Sequence, residues 1–580
     1  MELEFCDLSY KVKSYFNLFG QTKTILHNVN GTFKPGQFCG ILGPSGAGKS
    51  TLLHALSGYR TNGVSGHINI NGNRKKNTDF RRRFCYITQE DQLPPFMTVK
   101  EAMIMAANLK LPRTTDFQTK MKTISEILLY LGLEEQSKTN TEHLSGGQKK
   151  RLSVALELLN NPPMFFLDEP TSGLDNVSMK YCLKLLQSLA REGRTIVCTI
   201  HQPPASLLPM FDHIYVVARG MCVYQGHPND LVSFLSNSGY VCPESNNPAD
   251  YIIELVDLDP NAASTLSKLI ENGKILYRSL EDNYPKANAS LSKDSAPRNF
   301  ETLDSNTAIT SARKSSMRKS SLFRNYEENS HISVRRKSSE AHTESFLKRD
   351  SILKTFQWIK LNQSVDGTKA NYANSGWYQF LILLRRLVVH NVRNRYALVI
   401  QAVHYIICAV TLGIVYYDQA DNGAFMFQHL KFTLGFVLFY SHTRLFVPII
   451  LFPPEIKIAK KEHFNGWYSL FPYFCAYMIA GLPAQLIFNM LHMSIVYYLS
   501  GLPQELWRFL LFVLISNAVA FSSEGIGIAI GATFNALNGS VLGPSLTAPY
   551  LCLAVYGADF MKQISYFMQI LQLSTMAVNQ

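Results

Sequence analysis

The sequence predicts an α/β nucleotide-binding domain followed by an all-α polytopic transmembrane domain, and three observations carry that prediction. A glycine-rich turn, GPSGAGKST at Gly43–Thr51, sits between an apolar strand, FCGIL, and an apolar helix, TLLHALSGY. Short apolar strands alternate with amphipathic stretches from Met1 to Asp257, among them HINING, RFCYIT, MFFLDEP, TIVCTI and IYVVARG, the pattern of a helix-flanked sheet. Beyond Trp377, aliphatic and aromatic runs reach the roughly 20 residues that a helix needs to cross a bilayer. A chain of 580 residues is also too long for one hydrophobic core, so separate domains are required.

The bulk numbers narrow the partners. A formal net charge of +13 is compatible with nucleic acid, but the basic residues cluster beside apolar runs, which points to anionic membrane lipid and to no nucleic acid. The 10 cysteines are scattered without paired metal-ligand spacing, as expected of a reduced domain facing the cytosol. The start, MELEFCDLSY, has no basic segment followed by an apolar run, so no cleavable secretory signal is expected.

Three segments follow from these patterns: 1–257 as the nucleotide-binding domain, 258–375 as a basic, Ser-rich linker, and 376–580 as the membrane domain. The linker has too few apolar residues to offset its ordering entropy and is expected to be mostly disordered, with local helix near Ile252–Ile275 and Ile352–Leu361. Its RKSS (Arg313–Ser316) and RRKSS (Arg335–Ser339) runs offer serines, Ser338 among them, to basophilic kinases. Asn30, Asn176, Asn288 and Asn538 stand in glycosylation triplets but on the predicted cytoplasmic side, so none is expected to be glycosylated.

Spans are predicted at Ala397–Tyr417, Leu430–Phe452, Phe474–Leu499, Trp507–Phe534 and Val541–Tyr556, about five in all. The stretch PPEIKIAKKEHFNGWYS, with Lys457, Lys460 and Lys461, is expected as a cytoplasmic loop, and Arg385, Arg386, Arg393 and Arg395 place the N-terminal domain on the same side. Phe432, Phe436 and Phe439 recur at helical spacing, as lipid-facing packing or as the lining of a flat apolar slot. Arg444, near His442, and Glu524 lie inside spans, where ionisable groups are costly unless paired.

The chemistry begins at Gly43–Thr51, which fits the P-loop pattern of a P-loop NTPase. Gly43, Gly46 and Gly48, with Pro44, Ser45 and Ala47 between them, bring backbone N–H groups to phosphates. Lys49 then reaches the β and γ phosphates, Ser50 holds Mg²⁺, and Thr51 opens the helix. MFFLDEP ends its strand on Asp168 and Glu169, a carboxylate for the metal and a second for the attacking water. LSGGQKKR then places Leu144, Ser145, Gly146, Gly147 and Gln148 at a helix start, an anion site.

With LSGGQ the chain resembles the ATP-binding-cassette transporters. The resemblance implies that Ser145 and its glycines contact the γ phosphate of ATP held by another cassette. It also implies that Gln89 in CYITQED couples to the membrane domain and helps hold the metal, that Asp175 ends the SGLD turn, and that His201 in TIHQP reads the γ phosphate. Tyr10 is the candidate to stack on adenine, with Tyr15 and Phe16 as competitors. Cassette first and membrane domain second resembles the G subfamily, the White or eye-pigment type of half-transporter. Supporting residues are GYR at Gly58–Arg60, LELLNNPP, EPTSGLD, NPADYIIEL (Asn247–Leu255), FPPE (Phe452–Glu455) and HFNGWYSL (His463–Leu470).

The resemblance implies ATP and Mg²⁺ as cofactors, a homodimer or a heterodimer with another half-transporter, and ATP hydrolysis coupled to translocation. It implies export of lipids or sterols, pigment precursors or xenobiotics being the alternative, in the plasma membrane or a vesicle membrane with the cassette cytoplasmic. Family members carry a sixth span that ADFMKQISYFMQILQLSTMAVNQ does not supply, so a truncated chain, or a transport-incompetent partner subunit, is the further alternative.

Overall fold

The computed structural model describes residues 1–13, 22–74, 84–243, 246–277, 372–417 and 426–556. The N-terminal half begins with β1 (Leu3–Lys13), β2 (Thr22–Phe33) and β3 (Phe38–Leu42), then α1 (Lys49–Ser57), β4 (Val64–Ile70), β5 (Asn73–Arg74) and β6 (Phe84–Ile87). Helices α2 (Val99–Lys110), α3 (Phe117–Tyr130) and α4 (Gly146–Leu158) precede β7 (Met164–Leu167), α5 (Asn176–Arg191), β8 (Thr195–Thr199), β9 (His213–Ala218) and β10 (Met221–Gly226). One sheet has the order β10-β9-β3-β8-β7-β6, and an antiparallel sheet has the order β2-β1-β4-β5. Strands β9, β3, β8, β7 and β6 run parallel, and every residue of β3, β7 and β8 is buried, as continuous apolar strands covered on both faces require.

The packed body continues past the boundary expected at residue 257. Helices α6 (Leu231–Asn237), α7 (Pro248–Leu258) and α8 (Pro260–Leu269) close it, and Tyr277 pairs with Gly226 at the end of β10. Ala263, Leu266 and Ile270 are fully buried, and Asn272 donates through Nδ2 to the carbonyls of His27 (2.6 Å) and Asn28 (3.0 Å). Asp259 caps a new helix whose first residue is Pro260, so the sequence change that marked a linker is a helix start. The helix expected at 352–361 and the serine runs of the linker lie outside the described residues.

Asn374 ties the second half to the first. Its Nδ2 donates to the carbonyls of Asn108 (2.9 Å), Leu109 (3.2 Å) and Leu111 (2.8 Å), satisfying the C-terminal carbonyls of α2. Helix α9 (Gly376–Arg393) is amphipathic and buries Leu383, Arg386 and Leu387. At its end Arg393 binds Glu101 of α2 with both nitrogens at 2.7 Å, and that guanidinium holds the Glu101 carboxyl down to about 2.

Helices α10 (Arg395–Val415), α11 (Met426–Phe464), α12 (Leu470–Leu499), α13 (Leu506–Thr533) and α14 (Ala536–Tyr556) follow. Among the described residues, four of these, α10 to α13, are long and apolar enough to cross a membrane, against about five expected. The fifth run does form a helix, α14, which contains Pro544 and Pro549. The basic segment expected as a loop is the last part of α11, which runs 39 residues through Pro448, Pro453 and Pro454. Its Lys, Ala and Glu residues favour helix, and Arg386 fixes Glu462 there through Nη1 at 2.8 and 2.7 Å.

Close backbone approach holds the membrane helices. A Cβ on Gly527 of α13 would meet the Leu445 carbonyl of α11 at 2.4 Å, and one on Gly531 would meet that of Pro448 at 2.9 Å. Phe432 and Phe436 pack inside the protomer, Phe436 against Tyr440 (5.7 Å) and Phe512 (5.0 Å), rather than lining an outward slot. The side chain of Phe439 lies outside the described residues.

Arg444 and Glu524 pair, with Arg444 Nη2 donating to Glu524 Oε2 at 3.1 Å. Tyr405 Oη accepts from Arg444 at 2.6 Å, and Gln485 donates to Glu524 at 2.5 Å. Removing one partner strands the other, a loss of about 3–5 kcal/mol for a buried pair, whereas removing both is close to neutral. Arg444→Leu or Glu524→Leu alone should therefore lower the thermal midpoint of the detergent-solubilised protein, and the double variant should recover most of the loss. Additive losses in that cycle would show that the two side chains act independently.

Candidate functional site

The site stands where the parallel strands end and α1 begins. Gly43 has φ 147° and its Cα faces the Val217 carbonyl so closely that a Cβ would lie 2.0 Å from that oxygen; only glycine fits. Gly46 has φ 76° with open space beside it, and Ser45 and Gly46 are exposed, so the cradle is open to an incoming phosphate. Lys49 is buried, and its Nζ donates to the carbonyls of Gly43 (2.8 Å) and Pro44 (2.9 Å). Burial pushes its ammonium down, with Glu169 and Asp168 opposing. Ala47 packs below the turn, and Ser50 and Thr51 follow in the first turn of α1.

Asp168 is the hub. Its Oδ1 accepts from Ser50 Oγ (3.0 Å) and Thr199 Oγ1 (2.7 Å), and its Oδ2 accepts from Tyr86 Oη (3.2 Å). Glu169 follows at φ 43°, a left-handed conformation held by its N–H donating to Thr199 Oγ1 at 2.8 Å. The turn brings the Glu169 carboxylate to Gln89, whose Nε2 donates to Oε2 at 2.7 Å. The structure thus brings together Gly43, Lys49, Ser50, Gln89, Asp168 and Glu169.

The signature turn is built separately. Ser145 caps α4, accepting from Gln148 N at 3.3 Å, while Gln148 Oε1 accepts from Ser145 N at 2.9 Å. Leu144 anchors the turn in the core, and Gly147 is buried where a Cβ would meet Ser178 Cβ at 3.1 Å. Ser145 and Gly146 are exposed, so the positive end of this helix faces solvent. Asp175 caps α5 through Ser178 N (3.1 Å); the Ser178 hydroxyl, and then that N–H, draw its carboxyl down, and His201 stands exposed just past the end of β8.

Tyr10 does not join the site. It is 7% exposed on β1, opposite Leu26 and Val64, and belongs to the core. Tyr15 and Phe16 lie outside the described residues. Three residues were not foreseen: Thr199, Tyr86 and Lys150, whose Nζ donates to Gln89 O (3.0 Å) and pairs with Asp91 (3.0 Å). Lys150 stands five residues after Ser145 in LSGGQKKR, and Thr199 two before His201, so both lay within reach of motifs already recognised.

The donor set suits the expected groups. Ser50 and Asp168 offer hard oxygens at one point, and no cluster of three or more metal-ligating side chains occurs among the described residues. A cation there must share its coordination with phosphates, which is magnesium's habit.

A P-loop ATPase domain docked on membrane-spanning helices defines a class, the ATP-driven transporters. The chain matches the profile described as ABC transporter over residues 26–172 and profiles described as ABC-2 type transporter over 378–579 and 201–438. It is 28% identical over 554 residues, 91% of this chain and 74% of the relative, to ABC transporter G family member 21 of Arabidopsis thaliana. It is 29% identical over 545 residues, 91% of this chain and 75% of the relative, to the broad substrate specificity ATP-binding cassette transporter ABCG2 of Sus scrofa. The dimeric structure of a bacterial ABC transporter cassette aligns at 25% identity, TM-score 0.34, over 38% of this chain and 97% of that one. The chain belongs to the ABC transporters, with one cassette, one ABC-2 membrane domain and relatives in the G subfamily, and it is an ATPase whose hydrolysis is coupled to transport.

Glu169→Gln should retain ATP binding while hydrolysis falls by about 10²–10⁴, the usual contribution of a positioned base. Lys49→Ala should lose ATP binding itself. Filter binding of labelled ATP beside phosphate release separates the two; equal loss of binding in both would contradict the assigned roles.

Proposed function

We propose that the chain works as one of two subunits and uses Mg-ATP to export an amphipathic lipid, of the sterol class, across a membrane with its cassette on the cytoplasmic side. The observation that carries the paired arrangement is the exposure of Ser145 and Gly146 at the start of α4, a capped helix end open to a phosphate held by another cassette. Two such cassettes face to face complete two sites, each with Lys49 from one subunit and Ser145 of the partner subunit.

Lys49 exchanges its carbonyl acceptors for the β and γ phosphates. Ser50, Asp168 and Gln89 would hold magnesium against those phosphates, where it neutralises charge that develops during transfer. Glu169 orients the attacking water, and Gln89 fixes Glu169 through its 2.7 Å bond. His201 faces the γ phosphate from the end of β8. Exposed Val399, Ile400, Ile407 and Ile414 on α10 suit a bilayer or a second membrane domain, and FPPE and HFNGWYSL support a membrane domain of the G-subfamily type. A second reading, export over a wide substrate range that takes in foreign compounds, is favoured by the words 'broad substrate specificity' in the pig relative's name.

Lys49→Ala and Ser145→Arg should each abolish hydrolysis, yet co-expression of the two should restore one intact composite site and about half the wild-type rate per dimer at most. Recovery measured on the purified mixed dimer supports the shared site; no recovery contradicts it. For the substrate, vesicles reconstituted with cholesterol, phosphatidylcholine or sphingomyelin should show hydrolysis stimulated by the sterol. Stimulation by a soluble aromatic drug and none by lipid would favour the second reading.

A further inference from the structure

Tyr86 stands three residues before Gln89 in CYITQED with no role assigned to it by that motif, and it touches both halves of the molecule. Its phenol donates to Asp168 Oδ2 at 3.2 Å. Its ring stacks on Tyr59 (5.0 Å, 21°) and meets Phe464, the last residue of α11, edge-on at 6.1 Å and 89°. Its backbone N–H donates to Asn465 Oδ1 at 3.0 Å, and its carbonyl accepts from Asn465 Nδ2 at 3.0 Å. Strand β6 is an edge of the sheet, so Asn465 occupies both hydrogen-bonding groups of one residue as a neighbouring strand would.

The far side of Asn465 is equally fixed. Its Nδ2 donates to Glu157 Oε1 at 2.8 Å, an oxygen shared with Trp467 Nε1 at 3.2 Å, and Glu157 pairs with Lys110 at 2.7 Å. Tyr86, Asn465 and Glu157 are all buried, so the path from Asp168 to α11 is stiff and water-free. The route through Gln89 is different: that side chain is exposed, the Lys457–Glu90 pair beside it (3.5 Å) is exposed too, and Lys461 donates to the Gln92 carbonyl at 3.2 Å.

We propose that Tyr86 is a positioning residue that carries the state of the Asp168 carboxylate to the cytoplasmic end of α11, so that the membrane domain reads metal-nucleotide loading through the edge strand. The proposal rests on the Mg-ATP reading of the site. Ser50 donates to Asp168 Oδ1, the oxygen that Thr199 also holds. A cation held by Ser50 and Asp168 would compete with Ser50 and Thr199 for the Asp168 oxygen, and the carboxylate would re-aim. The phenol on its other oxygen follows, and because Asn465 grips the same residue, the displacement reaches α11.

Trp467 supplies a spectroscopic reporter, being one of 4 tryptophans. The test uses full-length protein in lipid nanodiscs with Trp358, Trp377 and Trp507 replaced by Phe and Glu169→Gln to stop hydrolysis. Saturating Mg-ATP should shift Trp467 emission, and ATP with EDTA should not. Asn465→Ala should reduce the shift at least fivefold while leaving the half-saturating concentration of labelled ATP within twofold. Tyr86→Phe should reduce the shift equally. A full Mg-ATP shift in either variant would overturn the proposal, and Asn465→Ala decides the matter even if Tyr86→Phe does not fold. A parent protein that binds no labelled ATP would instead sink the nucleotide reading beneath it, an outcome the binding arm distinguishes from a lost shift.

Discussion

One asparagine side chain laid across an edge strand is the contact on which the two halves of this chain depend. Asn465 takes both backbone groups of Tyr86, groups that a sheet edge otherwise leaves to water, and the junction around it is buried. Each unsatisfied polar group at such a place costs about 1–3 kcal/mol, so the helix end and the strand are matched in register or not joined at all. The buried Lys110–Glu157 pair adds direction more than stability, since it aims Glu157 at Asn465 and Trp467. Around it, Arg386–Glu462 and Arg393–Glu101 fix α9 to α11 and to α2.

The nucleotide chemistry follows from the sheet. Parallel strands deliver their C-terminal ends to one surface, where ligands of open α/β sheets bind. There β3 feeds the phosphate cradle, β7 ends on Asp168 and Glu169, and β8 supplies Thr199, which binds both neighbours of the turn. On the same cassette the N-terminus of α4 is exposed at Ser145 and Gly146, the feature on which the proposal of a paired arrangement rests.

The phosphate chemistry was legible in the sequence because it demands particular residue types at fixed spacing: Gly43, Lys49 and Ser50 could hardly be placed otherwise. Tyr10 was not, because on an antiparallel strand alternate residues enter the core, and nothing local says which set does so. The helix at Pro260–Leu269 falls within the local helix expected near Ile252–Ile275, but the boundary at 257 left it outside the cassette, because composition does not show that Ala263 and Leu266 are buried against it. The basic stretch after Phe452 read as a loop between two spans because its lysines mark a cytoplasmic side, and charge does not say whether the helix of a span continues into it. Phe432 and Phe436 showed a helical stripe, but a stripe does not say which neighbour covers it. Least legible of all was Asn465, whose partner Tyr86 lies 379 residues away and meets it only once the sheet has an edge.

The most direct measurement is hydrogen exchange by mass spectrometry on the full-length Glu169→Gln protein in nanodiscs, following the peptide that covers Ile456–Phe464. The account predicts that Mg-ATP changes exchange in this helix end when Asn465 is present and leaves it unaltered in Asn465→Ala. An equal nucleotide-dependent change in both proteins would show that the membrane helices respond by another path, and would contradict the central claim.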